Sequence, residues 1–329
     1  MEQHGGHGSE GGSNGRYSGQ FRRMQDLPQA GVVQAGAPLC AGCGGLGALR
    51  QVLNVLGENT VVVNAAGCLT LLTVYPHSPL RGAWLYTAMG AAPAGAQGIR
   101  DALDILISQG RLAAEEDLRV LVVTGDGAAA SIGLTATSGA IHRGLDFYYL
   151  CYDNEGFGNT GHQTSSTTPF GATTATRGGG NNTATADGVR GNHTVPKDLF
   201  AIWAAHRPAY LATLSAEAPL DLARKVERAM QLKGPRMFIA MAPCPTGWHF
   251  APSQTAHVGQ LALKTGVWPL KSWEDGVLTH TKPPQAAGKR PPVREYLAAQ
   301  GRFAHLFEPQ EQHETIARIQ AGVDAYWDF

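Results

Sequence analysis

The sequence predicts an α/β fold, a doubly wound and mostly parallel sheet with a C-terminal helical and irregular arm. Short apolar, β-branched runs alternate with helical stretches at the spacing of strand–helix–strand units. Polar glycine turns follow two of these runs, in "VVTGDG" and "YLCYDNEG". Such turns mark the carboxyl ends of parallel strands, where open sheets bind ligands. A chain of 329 residues suffices for one large α/β domain or two ordinary ones.

Along the chain, "LCAGCGGLGALRQVLNVLG" reads as a CxxC turn followed by an amphipathic helix, and "NTVVVNAAGC" as a strand. "AMGAAPAGAQGIRDALDILISQG" is a helix whose small residues suit close packing. "LRVLVVTGDG" and "DFYYLCYDNEG" are strands, with the helix "ASIGLTATSGAIHRG" between them. After a long polar connection over 163–193, the rhythm resumes. "KDLFAIWAAH" and "DLARKVERAMQL" are helices, while "AYLATLS" and "RMFIAMAPC" are strands. Beyond Pro252 no strong strand is evident. The expected units are a flexible tail over 1–30, an α/β domain over 31–252, and an arm over 253–329 packed on the domain or on partner subunits.

Charged residues make up only 16% of the chain and hydrophobic ones 43%, which suits a surface partly covered by other chains. Lys+Arg and Asp+Glu both number 26, so no bulk attraction to nucleic acid or anionic lipid is expected. There is no apolar run of roughly 18 residues, and hence no expected membrane span. The Gly/Ser-rich start lacks the apolar core of a signal peptide, and His4 and His7 there read as solvated tail. Five cysteines, an odd number without a secretory signal, argue against a disulfide framework and for a reducing cytoplasm.

Gly125-Asp126-Gly127 poses an electrostatic question. A glycine turn opening a helix suits a phosphate, yet a carboxylate repels one. Asp126 and Asn154 lie 28 residues apart, about one strand–helix–strand unit, so both belong on one rim of the sheet. A hard cation such as Mg²⁺ takes oxygen ligands. The Asp126 carboxylate, the Asn154 side chain and the Gly156 carbonyl supply three kinds, and Mg²⁺ there would bridge to a diphosphate. Gly127 and the helix start would donate N–H groups. An ordinary Gly-Asp-Gly turn fits the residues alone equally well. "GDGAAA" lacks the third glycine of a dinucleotide fingerprint, and the Lys-Ser/Thr of a P-loop is missing.

Cys40 and Cys43 form a tight pair, Cys68 follows a strand, and Cys244 follows another in "MAPCPTGW". Four thiolates from strand-end loops suit a [4Fe–4S] cluster or a structural zinc, and spacing does not decide between them. Cys151, within a strand, reads as a buried small hydrophobe.

The set "CAGCG", "TGDG", "CYDNEGFGNTGHQTSSTTPFG" and "APCPTGW" resembles the β subunit of the 2-oxoacid:acceptor oxidoreductases, the family of pyruvate:ferredoxin oxidoreductase. The likeness runs from about Pro38 to the C-terminus. It implies a thiamine diphosphate-binding fold, with Gly125, Asp126, Gly127, Asn154 and Gly156 at a Mg²⁺–diphosphate site. It also implies Asn159 and Thr160 near the thiazolium ring and the 2-oxoacid, and a [4Fe–4S] cluster on Cys40, Cys43, Cys68 and Cys244. The expected reaction is oxidative decarboxylation of a 2-oxoacid, pyruvate foremost, with coenzyme A and a low-potential acceptor such as ferredoxin. The expected partners are an α subunit, which brings the glutamate acting on the aminopyrimidine, and γ and ferredoxin-like δ subunits or fused equivalents. Glu155 is therefore expected to be exposed or structural.

Other members of the family act on aryl glyoxylates, oxalate or branched-chain 2-oxoacids. A non-oxidative thiamin-dependent decarboxylase and a zinc-stabilised, non-catalytic interaction subunit are the alternatives outside the oxidative reaction. Gln163 and Thr164 read either as contacts to cofactor or substrate or as a hydroxyl-rich turn. His142, His206, His249 and His257 read as structural. Residues 178–191 are expected to be a flexible lid or a subunit contact.

Overall fold

A computed structural model describes residues 19–29, 31–113, 117–177, 190–282 and 289–327. His4, His7, residues 1–18 and 30 of the expected tail, and residues 178–189 of the expected lid lie outside the described residues.

The sheet is built on β1 (Thr60–Ala65), β2 (Trp84–Thr87), β3 (Arg119–Gly125), β4 (Phe147–Asp153), β5 (Tyr210–Ser215), β6 (Pro235–Met241), β7 (Leu270–Glu274) and β8 (Val277–Lys282). Their order is β2-β1-β3-β4-β6-β5-β7-β8. β1 to β6 run parallel, while β7 and β8 are antiparallel additions at the β5 edge. β4 is buried along its whole length, as a central parallel strand should be.

Side chains alternate between the two faces of the sheet. Val62, Leu121, Val123, Leu150 and Phe238 pack against α1 (Gly44–Leu56) and α5 (Pro219–Met230). Val63, Val122, Tyr149, Cys151 and Ile239 face α2 (Ala92–Ser108), α3 (Leu134–His142) and α4 (Leu199–Ala205). The two apolar layers make the sheet doubly wound, and Cys151 is core, fully buried.

Three strands depart from the sequence expectation. β2 is a short edge strand ahead of α2, with Leu85 and Tyr86 exposed. The reading that no strong strand is evident beyond Pro252 is corrected by β7 and β8, which extend the sheet itself. Their turn is Asp275-Gly276, with φ 51° and 81°. Two left-handed residues are what a tight hairpin requires, and Asp-Gly is a standard sequence signal for one.

The remaining C-terminal elements are α6 (Pro245–Trp248), α7 (Thr255–Thr265), α8 (Val293–Ala298) and α9 (His313–Trp327). They enclose a third apolar cluster around Trp248, Val258, Tyr296, Phe303 and Leu306, which reaches Met241 at the end of β6. Among the described residues no helix is long and apolar enough to cross a membrane.

Candidate active site

β3 and β4 are neighbours in the sheet, with Gly125 paired to Tyr152, so the turns after them share one rim. Asp126 leaves β3 and enters a π-helical turn, Ala128–Ile132, that leads into α3. Asn154, Glu155 and Gly156 leave β4. Gly127 must be glycine, because a Cβ there would stand 2.2 Å from the Phe157 ring. A cavity of about 140 Å³ opens between the two turns, lined by Gly125, Gly127, Asn154, Gly156, Asn159 and Thr160. Six of the seven cofactor-site residues named from the sequence thus border one space.

The seventh, Asp126, is fully buried behind it. Its Oδ2 accepts a hydrogen bond from the Thr167 hydroxyl at 2.9 Å, and the same hydroxyl lies 2.9 Å from Asp153 Oδ1. One hydroxyl hydrogen is shared between these two contacts. Burial, opposed by hydrogen bonds from Ser165 and Thr167, pushes the Asp126 carboxyl up to about 6. Asp153 is pushed well above the usual carboxylate range by burial and then by the negative charge of Asp126. Glu155 is buried nearby and pairs with Arg302, Oε2 to Nη2 at 2.6 Å. Three buried carboxyls therefore gather on this rim, with Arg302 paired to Glu155.

Thr160 and Asn159 are exposed at the mouth of the cavity. Thr160 Oγ1 donates to Gln163 Oε1 at 2.5 Å, and Gln163 Nε2 donates to the Thr160 carbonyl at 2.6 Å. Gln163 thus braces Thr160. Thr164 turns away from the cavity and bonds Thr174 and Thr176.

A second cavity, about 350 Å³, is lined by Cys40, Cys43, Cys68 and Cys244. Three strand-end loops bring them there. Gly44 packs so closely on Pro243 that a Cβ would meet its ring at 2.6 Å, which draws the CxxC turn against the loop after β6. Cys43 Sγ accepts from Leu46 N at 3.4 Å and Cys244 Sγ from Gly247 N at 3.3 Å. Burial, with the neighbouring cysteines adding to it, pushes the Cys68 thiol up to about 12. Cys43 and Cys244 are raised mainly by burial too. Among the described residues, no three His, Cys, Asp or Glu side chains gather tightly enough to share one metal ion. The two cavities share a wall of Cys68, Tyr152, Asn154, Gly158 and Asn159.

Residues 65–240 match the family model described as the C-terminal TPP binding domain of thiamine pyrophosphate enzymes. Pyruvate synthase subunit PorB of Methanocaldococcus jannaschii is 41% identical over 302 residues, covering 92% of this chain and 97% of the relative. The chain belongs to the β-subunit family of the 2-oxoacid:ferredoxin oxidoreductases. Ketoisovalerate oxidoreductase subunit VorB of Pyrococcus abyssi is 36% identical, covering 93% of this chain and 94% of that one. A solved 2-oxoglutarate:ferredoxin oxidoreductase from Magnetococcus marinus shares the fold, with TM-score 0.52 and 22% identity over 69% of this chain and 72% of that one.

In this β subunit several residues at the site carried no sequence signal. Asp153 reads as the last residue of a strand, and Thr167 as one hydroxyl among many. Arg302 sits in the arm, far along the chain. His162 is buried, with its pKa lowered to about 4 by burial and then by Arg302 and His249. Of the two readings given for Glu155, exposed or structural, its burial and its pairing with Arg302 fit the structural one. The structural expectation for His206 holds, since its ring nitrogens contact Ser138 Oγ and the Ile202 carbonyl at 2.8 Å each.

Proposed function

We propose that this β subunit binds thiamine diphosphate through Mg²⁺ in the smaller cavity and one [4Fe–4S] cluster in the larger, and that it oxidises pyruvate to acetyl-coenzyme A. One observation carries this proposal: the cavity bordered by the GDG turn and the cavity bordered by four cysteines have a wall in common.

The residues suit both groups. Asp126, the Asn154 side chain and the Gly156 carbonyl would hold Mg²⁺, which prefers such hard oxygens. A divalent cation there would offset the crowding of Asp126, Asp153 and Glu155, the last of which pairs with Arg302. Cys40, Cys43, Cys68 and Cys244 would hold the cluster. They surround a cavity rather than a point, which fits a cluster with one thiolate per iron better than a zinc.

Bound thiamine diphosphate supplies the nucleophile that releases CO₂ from a 2-oxoacid, and a cluster takes up the electrons. The chain's own residues bind and orient. Gly127 leaves room for the diphosphate, and the turn at Ala128 offers N–H groups. Asn159 and Thr160 face the substrate at the mouth, with Thr160 held by Gln163. The common wall separates the two groups.

Residues 31–252 together with β7 and β8 would form the cofactor-binding domain, and the rest of 253–329 the arm that packs on it or on partners. An α subunit would supply the glutamate for the aminopyrimidine, and γ and ferredoxin-like δ subunits, or fused equivalents, would carry electrons to ferredoxin in the cytoplasm. Four pyruvate synthase subunits at 40–41% identity stand above two ketoisovalerate subunits at 36%, with further pyruvate synthase subunits at 35% and 33% below them, and the top of that range supports pyruvate. The test is co-purification from the native host, followed by assay of pyruvate, ketoisovalerate and 2-oxoglutarate with coenzyme A and a viologen acceptor. Fastest turnover of pyruvate is expected; preference for a branched 2-oxoacid would reassign the substrate.

A further inference from the structure

We infer that Arg302 is a positioning residue for the Asn154–Gly156 turn, so that the C-terminal arm sets the geometry of the cofactor site. The inference rests on the function proposed above.

Glu155 occupies the left-handed region, φ 59°, where a non-glycine side chain is strained. Such a residue persists only when its surroundings over-determine it. Here they do. Its N–H donates to Asp153 Oδ1 at 3.0 Å, and its carbonyl accepts from Thr168 Oγ1 at 2.7 Å. Its side chain is held by Arg302. Next to it, the Asn154 carbonyl accepts from the Trp248 indole N–H at 2.9 Å.

Arg302 governs both attachments. Its guanidinium lies 3.9 Å from the Trp248 ring centroid while pairing with Glu155. It is itself fixed, fully buried, with Nε donating to Gln300 Oε1 at 2.9 Å. Its carbonyl accepts from Thr173 N at 2.9 Å and Thr173 Oγ1 at 3.0 Å. A buried ion pair is weak evidence for stability, because apolar residues often replace one without loss. Its placement on a strained turn, between two residues that border the cavity, gives it a different use. Arg302 and Trp248 together set the backbone that presents the Asn154 side chain and the Gly156 carbonyl.

The experiment uses the assembled enzyme and the variants Arg302→Met, Arg302→Lys and Trp248→Phe. Thiamine diphosphate affinity is titrated at saturating Mg²⁺, beside a thermal melt of each cofactor-free sample. Arg302→Met is expected to weaken binding roughly 10- to 100-fold, as loss of a supporting residue does at metal sites. Arg302→Lys recovers part of that loss. Trp248→Phe keeps the ring under the guanidinium and removes one hydrogen bond, so about five-fold weaker binding is expected with little change in the melt. It serves as the deciding variant if Arg302→Met fails to fold. Affinities within about two-fold of wild type in folded variants overturn the inference. So do losses that track the melting temperature alone. A wild-type enzyme that binds no thiamine diphosphate would instead sink the proposed function.

Discussion

The Asn154 amide nitrogen stands 4.0 Å from the Cys68 sulfur, although 86 positions separate them in the chain. Asn154 follows β4 and Cys68 follows β1, and β3 lies between those strands. The contact crosses the wall between the cavities, so the turn proposed to hold Mg²⁺ touches a proposed cluster ligand.

Because the spaces are separate, the two functions should separate. Cys68→Ser is expected to lower the iron content of the purified complex and abolish 2-oxoacid-dependent reduction of a viologen. Thiamine diphosphate affinity should stay within about ten-fold of wild type, since the Asp126 side of the cavity is untouched. Iron analysis and a binding titration on one preparation check both halves.

Asp126→Ala should have the opposite profile. Removing a buried charged partner costs about 2–5 kcal/mol, or roughly 30- to 4,000-fold in affinity. Binding of thiamine diphosphate should lose its Mg²⁺ dependence, while the cluster absorption remains. Unchanged Mg²⁺-dependent affinity would remove Asp126 from the site.

The Thr167 hydroxyl reaches both Asp126 and Asp153. Thr167→Val leaves two buried carboxyls without that donor. The cofactor-free protein should lose about 1–3 kcal/mol of stability. Mg²⁺ with thiamine diphosphate should restore more of the melting temperature in the variant than it adds to wild type.

His162 gives the pH dependence a definite sign. Folded, it stays neutral down to about pH 4, because burial opposes its charge and Arg302 and His249 add to the effect. Unfolded, it takes a proton near its ordinary value of 6.5. Between those values the unfolded chain binds more protons, so stability falls as the pH drops, by up to about 3 kcal/mol. Thermal melts from neutral pH to about pH 4.5 should show a shallower acid decline in His162→Gln than in wild type.

The central strands were legible because a buried parallel strand is a short apolar run ended by a turn, as in "LRVLVVTGDG". The rim that brings Asp126 to Asn154 followed from one strand–helix–strand spacing. β7 and β8 were missed although Asp275-Gly276 announces a hairpin, because their alternating polar residues look like loop in a helical arm. β2 is four residues long and half exposed, with no apolar run to reveal it. At the site, residues that line cavities sat in recognisable turns. Thr167, Asp153, His162 and Arg302 act through contacts between distant segments, and no local pattern distinguishes a threonine that touches two carboxyls from one that faces water.

The most direct test of the central claim is the visible spectrum of the anaerobically purified complex during a single addition of pyruvate and coenzyme A, without external acceptor. The account predicts iron–sulfur absorption that bleaches only when thiamine diphosphate is bound, and that is lost in Cys68→Ser. A colourless, zinc-containing β subunit, or bleaching that persists in Cys68→Ser, would contradict it.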